Sequence, residues 1–262
     1  MELNEMNYFS HEADVNYFSA SQIKAFKKCE ACAMAELNGL HRREMSTALM
    51  VGQYVDAALT GDLDEWCGCH PEIRKRDGGL KAEFLQASEM VGRANRDPLF
   101  MDFMEGDHQT ILKAPILGGY WFKAKYDVLG ADRIVDLKTV RDMKSVYLPG
   151  QGRVDFATAW DWPLQMAIYQ KIYEEVEGVR LPCYLAVITK ETPPDIRIIQ
   201  IEQERMDAEI AWLEQMMPRF EAVKNGVIDP ERCETCAYCR QSRILLGPEL
   251  LGDFDENGGI EE

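Results

Sequence analysis

The stretch that most constrains this chain is Ile134-Val135-Asp136-Leu137-Lys138-Thr139-Val140. Its β-branched and apolar residues predict a strand. Side chains alternate along a strand, so Asp136 and Lys138 share a face with Ile134 and Val140, while Val135 and Leu137 point the other way into the core. Two charges in an otherwise apolar strand are costly unless they bind something. The plain alternative is a salt bridge between them on an exposed face. Asp127 ends the preceding apolar run, and Gly130-Ala131-Asp132 supplies a turn. A hairpin would then set Asp127 beside Asp136. Neighbouring carboxylates repel, and a divalent cation removes that penalty. A lysine beside the metal can orient an attacking water.

Further strands are expected at 109–117, 119–128, 182–189 and 196–201, with Gly118-Gly119 turning the first into the second. One helix is predicted from the Ser19 or Ser21 cap to Gly39, another over Thr47–Ala58, and one from Leu80 to Met104 broken near Pro98. Two more cover 163–177 and 203–224, and 61–78 reads as loop. The order predicts an α/β fold with a central mixed sheet flanked by helices. One domain is expected over 1–252, followed by an acidic, disordered tail at 253–262. Apolar residues are 46% of 262, enough for a sizeable core.

No apolar run approaches the roughly 20 residues of a membrane span. The acidic start lacks the basic and apolar order of a secretory signal, so a cytoplasmic protein is expected. The net charge of -16 argues against a protein that coats nucleic acid by electrostatics alone. A nuclease is compatible with it, because metal-holding carboxylates add negative charge. Local basic surfaces would be Lys24, Lys27 and Lys28, or Arg74-Lys75-Arg76 with Lys81; the plain reading of both is a solvated face.

The order Gly52-Gln-Tyr-Val-Asp56, Asp127, Asp136-x-Lys138-Thr139 and Gln165-Met-Ala-Ile-Tyr169 resembles the RecB-like branch of the PD-(D/E)XK nuclease superfamily. The likeness to phage-type exodeoxyribonuclease VIII-like (RecE-like) exonucleases runs from about residue 17 to 240 and includes the opening YFSASQIKAFKKCEA. It implies a restriction-endonuclease-like core and a Mg²⁺- or Mn²⁺-dependent exonuclease of linear duplex DNA in phage or prophage recombination. Asp56, Asp127, Asp136 and the Leu137 carbonyl would hold the metal, Lys138 would position water, and Gln165 and Tyr169 would contact DNA or brace the lysine. Several relatives have His where this chain has Asp56. The resemblance also implies homo-oligomeric rings. The competing reading is a catalytically inactive module of the same fold that binds DNA or a partner. A third reading is a metal-stapled adaptor that recruits a single-strand annealing protein, which could equally partner an active nuclease.

Among eight cysteines, Cys233-Glu-Thr-Cys236-Ala-Tyr-Cys239 can wrap one metal centre. A fourth ligand is required. Iron–sulfur nucleases of this clan place a lone N-terminal cysteine about where Cys29 stands, with Cys32 as a substitute. Three readings stay open: a [4Fe–4S] cluster, a Zn²⁺ site, or plain reduced thiols. Cys67, Cys69 and His70 read as loop residues, Cys183 as core, and Glu89 as surface.

Overall fold

The computed structural model describes residues 1–42, 45–245, 247 and 248. In chain order the elements are α1 (His11–Asn16), α2 (Ala20–Lys28), α3 (Glu30–Leu37), α4 (Thr47–Thr60), α5 (Leu63–Cys69), a 3₁₀ turn (Pro71–Ile73), α6 (Ala82–Ala94), α7 (Pro98–Phe103), β1 (Asp107–Ile116), β2 (Tyr120–Leu129), β3 (Ile134–Val140), β4 (Val146–Leu148), β5 (Gly152–Val154), α8 (Phe156–Ala159), α9 (Trp162–Glu177), β6 (Cys183–Thr189), β7 (Ile196–Gln200), α10 (Gln203–Lys224) and α11 (Ala237–Gln241).

Five strands form one sheet in the order β1-β2-β3-β6-β7. Only β3 and β6 run parallel; the other neighbours are antiparallel. A parallel pair needs a long crossover, and the β4–β5 hairpin, α8 and α9 supply it. β6 is covered on both faces, which is why Cys183–Thr189 reads as an almost unbroken apolar run. On one face Ile134 and Leu185 pack against Leu164 and Ile168 of α9, Phe26 of α2 and Phe220 of α10. On the other, Val135 and Ala186 pack against Val55 of α4 and Phe84 of α6. This is the expected central mixed sheet flanked by helices, a restriction-endonuclease-like core.

The first long helix departs from expectation. It breaks at Cys29, whose backbone is extended at φ -169 and ψ 108. In an unbroken helix the Ala31 N–H would turn back to Lys27. Here it donates to the Glu231 carbonyl at 2.9 Å. The Glu30 carboxylate takes Arg219 at 2.6 and 2.7 Å and the Glu231 N–H at 2.8 Å. Contacts with the far end of the chain therefore override local helix preference. The expected loop at 61–78 also holds a helix, α5. Trp66 anchors it, stacked on His70 at 4.0 Å and edge-on to Tyr54 at 5.8 Å. The break near Pro98 occurs as expected, with Asp97 capping α7 through the Phe100 N–H at 3.0 Å. The β4–β5 hairpin and α8 had no counterpart in the sequence reading. The expected tail at 253–262 lies outside the described residues. Among those described, no helix is long and apolar enough to cross a membrane.

Candidate active site and cysteine centre

The cleft begins where the sheet opens. β2 and β3 pair only at Val128↔Val135 and Leu129↔Ile134. At the next position the Asp127 side chain replaces the backbone rung, its Oδ2 accepting the Leu137 N–H at 2.9 Å. Residues two apart on a strand normally share a face. Tyr126 nevertheless packs in the α9-side core and Val128 in the α4-side core, so the ribbon turns over at Asp127. Across from it on β1, between the pairs His108↔Val128 and Thr110↔Tyr126, Gln109 has φ 53. That left-handed backbone is unusual for a residue with a side chain. It sends the Gln109 amide to Asp56 Oδ2 of α4, at 3.0 Å.

The floor is Asp136, 1% exposed. It forms an ion pair with Lys138 and accepts the Gln165 Nε2 at 2.8 Å. The same nitrogen lies 3.4 Å from the Tyr169 hydroxyl. Gln165 Oε1 in turn accepts Lys24 Nζ from α2, at 2.7 Å. The amide thus points oxygen at a cation and nitrogen at a carboxylate, the one orientation that satisfies both. Lys138 lies 5.7 Å from the centre of the Trp162 ring.

These groups strain one another electrostatically. Burial, then Asp136, holds the Asp127 carboxyl well above the usual range. Burial raises Asp56 to about 6. Burial alone would depress Lys138, but Asp136 and Asp127 outweigh it and raise the ammonium. Burial, then repulsion from Lys138, lowers Lys24 to about 7. Asp56 Oδ1 is buried with no protein hydrogen-bond partner. An orphaned carboxylate oxygen beside the half-buried Asp127 and the buried Asp136 is a donor set suited to a hard divalent cation. Asp56, Asp127, Leu137 and Lys138 line one cavity of about 1030 Å³, with Asp136 beneath it.

The structure thus brings together every residue expected at the carboxylate site: Asp56, Asp127, Asp136, Leu137, Lys138, Gln165 and Tyr169. The basic run at α2 divides. Lys24 enters the cleft, and Lys27 pairs with Asp161 at 2.6 Å. Arg74, Lys75 and Arg76 are exposed, as is Glu89. Gln109 was missed. A glutamine inside a strand carries no local signal, because its role follows from the turning of the ribbon.

The second centre joins the two ends of the described chain. The thiol sulfurs of Cys29, Cys233, Cys236 and Cys239 all lie within 4.8 Å of one another. Cys29 and Cys239 are 3.5 Å apart, and Cys233 and Cys239 4.0 Å. Backbone amides support the sulfurs: Cys236 N–H donates to Cys233 at 3.3 Å, and Cys239 N–H to Cys236 at 3.4 Å. Burial opposes ionisation of Cys233, but the Thr235 hydroxyl and nearby amides lower its thiol to about 6. Burial pushes Cys29 up to about 12. Four converging thiols fit a tetrahedral metal or a cluster. Cys32 stands outside this set and donates its N–H to Cys29 at 3.4 Å. Cys67 and Cys69 join no such group among the described residues. Cys183 is buried in the core.

An opened mixed sheet with carboxylates and a lysine at the opening defines a PD-(D/E)XK-type fold. Residues 19–242 match the family described as "PDDEXK-like domain of unknown function (DUF3799)", and the chain belongs to that family. It is also similar to a crystal structure from Eubacterium rectale described as a "Putative exonuclease". The TM-score is 0.93 and the identity 38%, over 98% of this chain and 99% of that one. No curated protein matches the chain.

Proposed function

We propose that the chain is a divalent-metal-dependent exodeoxyribonuclease acting on linear duplex DNA, in recombination or repair of the phage or prophage type. The observation that carries this reading is the convergence of Asp56 from α4, Asp127 from β2 and Asp136 from β3 on one cavity with Lys138. The family and the exonuclease description of the Eubacterium rectale protein support it. Asp56, Asp127, Asp136 and the Leu137 carbonyl would hold Mg²⁺ or Mn²⁺. Held there, such an ion would supply Lewis-acid polarisation of a scissile phosphate and a lowered pKa for water. Lys138, held by Asp136, stays charged and donates hydrogen bonds to the water and to developing negative charge. Gln165 fixes Asp136 and Lys24 together, so that a cation faces the cleft from α2.

The cysteine centre is structural in this reading and holds one zinc ion. Tetrahedral Zn–S bonds of about 2.3 Å would place the sulfurs roughly 3.8 Å apart, and the four thiols lie within 4.8 Å of one another, two pairs of them at 3.5 and 4.0 Å. Metal analysis of protein purified without air tests this. About one zinc and no iron is expected, whereas iron with acid-labile sulfide would replace zinc by a cluster.

End-labelled linear duplex with Mg²⁺, beside an EDTA control and the Asp136→Ala variant, tests the nuclease. Degradation only with metal and only by the unmutated chain is expected. No degradation under any condition, Mn²⁺ included, would leave a binding module.

A further inference from the structure

The same cavity is lined by groups the hydrolytic reading does not use. Lys190 follows β6, and its N–H donates to the Val140 carbonyl at 2.7 Å, so it stands at the same end of the sheet as the catalytic strand. It is half-buried and lines the cavity. Burial lowers its ammonium, and no neighbouring charge contributes. A half-buried cation without a counter-charge is poorly solvated and matched by an anionic ligand. Lys144, exposed, lines the same wall. The nearby Asp142 carboxylate is already engaged by Arg141 at 2.9 Å and the Lys144 N–H at 3.0 Å.

Trp160 lines the same cavity and is 62% exposed. Its backbone is braced rather than loose. Asp155 caps α8 through the Thr158 N–H at 2.9 Å and is tied to Arg205 of α10 at 2.6 Å. Asp161, the next residue, is tied to Lys27 of α2 at 2.6 Å. A large indole face is therefore held open toward solvent on fixed supports, in the same cavity as the cations. In a duplex the base faces are already covered by their neighbours; an unpaired strand leaves them free to stack on aromatic side chains.

We propose that Trp160 and Lys190 form a subsite for unpaired DNA, the indole stacking on a base while Lys190, with Lys144, takes a backbone phosphate. This rests on the nuclease reading and deepens it: the strand enters the cavity separated from its complement.

The test uses the full chain with Asp136→Asn to prevent cleavage, and a short fluorescein-labelled oligothymidine. The strand is expected to bind and to quench tryptophan fluorescence. Trp160→Ala should weaken binding roughly 5- to 100-fold, as for loss of one stacked base, and Trp160→Phe should restore most of it. Lys190→Ala should lower the salt slope by about one. An abasic strand should bind equally well with or without Trp160. Unchanged affinity in Trp160→Ala, or equally tight binding of an end-capped duplex, overturns the subsite and leaves the nuclease standing. Failure to bind any DNA overturns both.

Discussion

The carboxylate cleft and the cysteine centre solve the same problem, gathering ligands that lie far apart in sequence, with opposite resources. The cleft is assembled by the sheet and by packing on both of its faces. The frame is apolar and extensive, and the carboxylates are its cost: one buried and two half-buried acids that repel, and an oxygen with no partner among the described residues. The cysteine centre has almost no core of its own. Its buried apolar group is Cys29, Ala31 and Cys239. There the ligands must supply the cohesion that packing supplies elsewhere. A bound metal should thus govern chemistry at the first site and stability at the second.

Asp136→Ala breaks the comparison most sharply. Activity on end-labelled duplex should fall by at least about a thousandfold, as expected when an essential charge stabiliser is removed. The melting temperature of the metal-free protein should fall, because the Lys138 ammonium and the Gln165 amide lose their partner, offset in part by relief of the repulsion with Asp127. A drop larger than that of Cys239→Ser would make Asp136 the stronger support of the fold. Cys239→Ser should do the reverse. Bound zinc should be lost and the melting temperature should fall by more than for any cleft variant. If the cleft variant proves the less stable of the two, the division of roles is wrong.

Smaller effects sharpen the picture. Gln109→Gly removes a side chain from a left-handed position that glycine adopts freely. Stability should increase by about 0.5–1 kcal/mol, while Mn²⁺ affinity, followed by calorimetry, should weaken because Asp56 loses its positioning hydrogen bond. Gln109→Ala should lose the same affinity without the gain in stability. The smallest effect is in pH. Asp56 rises from 3.8 to about 6 in the fold. Without metal, the folded state binds a proton that the unfolded chain releases, so this contribution is present below about pH 4 and lost as pH rises through about 6. The gain in melting temperature on adding Mg²⁺ should be full at pH 8 and shrink as pH falls through about 6. A gain independent of pH would remove Asp56 from the metal site.

Sequence showed the cleft well and its surroundings poorly, for a physical reason. Asp136 and Lys138 stand out because period-two alternation puts charge where an apolar residue belongs. Gln165 and Tyr169 follow from the resemblance to the RecB-like Q-x-x-x-Y motif, and their spacing then sets both on one helix face. The break at Cys29 was hidden because its cause, the hydrogen bonds to Glu231 and Arg219, lies about two hundred residues away in the chain. Gln109 was hidden because a turning ribbon is a property of two strands together. Helix α5 was hidden because it is short and rests on three side chains, Leu63, Trp66 and Cys67, packed against the α4–α6 core.

The long separation between Cys29 and Cys239, 210 positions, has a consequence for biosynthesis. A chain made from its N-terminus exposes Asp56, Asp127, Asp136 and Gln165 well before Cys233 leaves the ribosome. Sheet and cleft can condense while α2 is fastened through α9, α10 and the core. The cysteine clasp closes last: a chain truncated before Cys233 carries the carboxylates of the cleft yet lacks the tie that holds Cys29, at the start of α3, against residues 233–239.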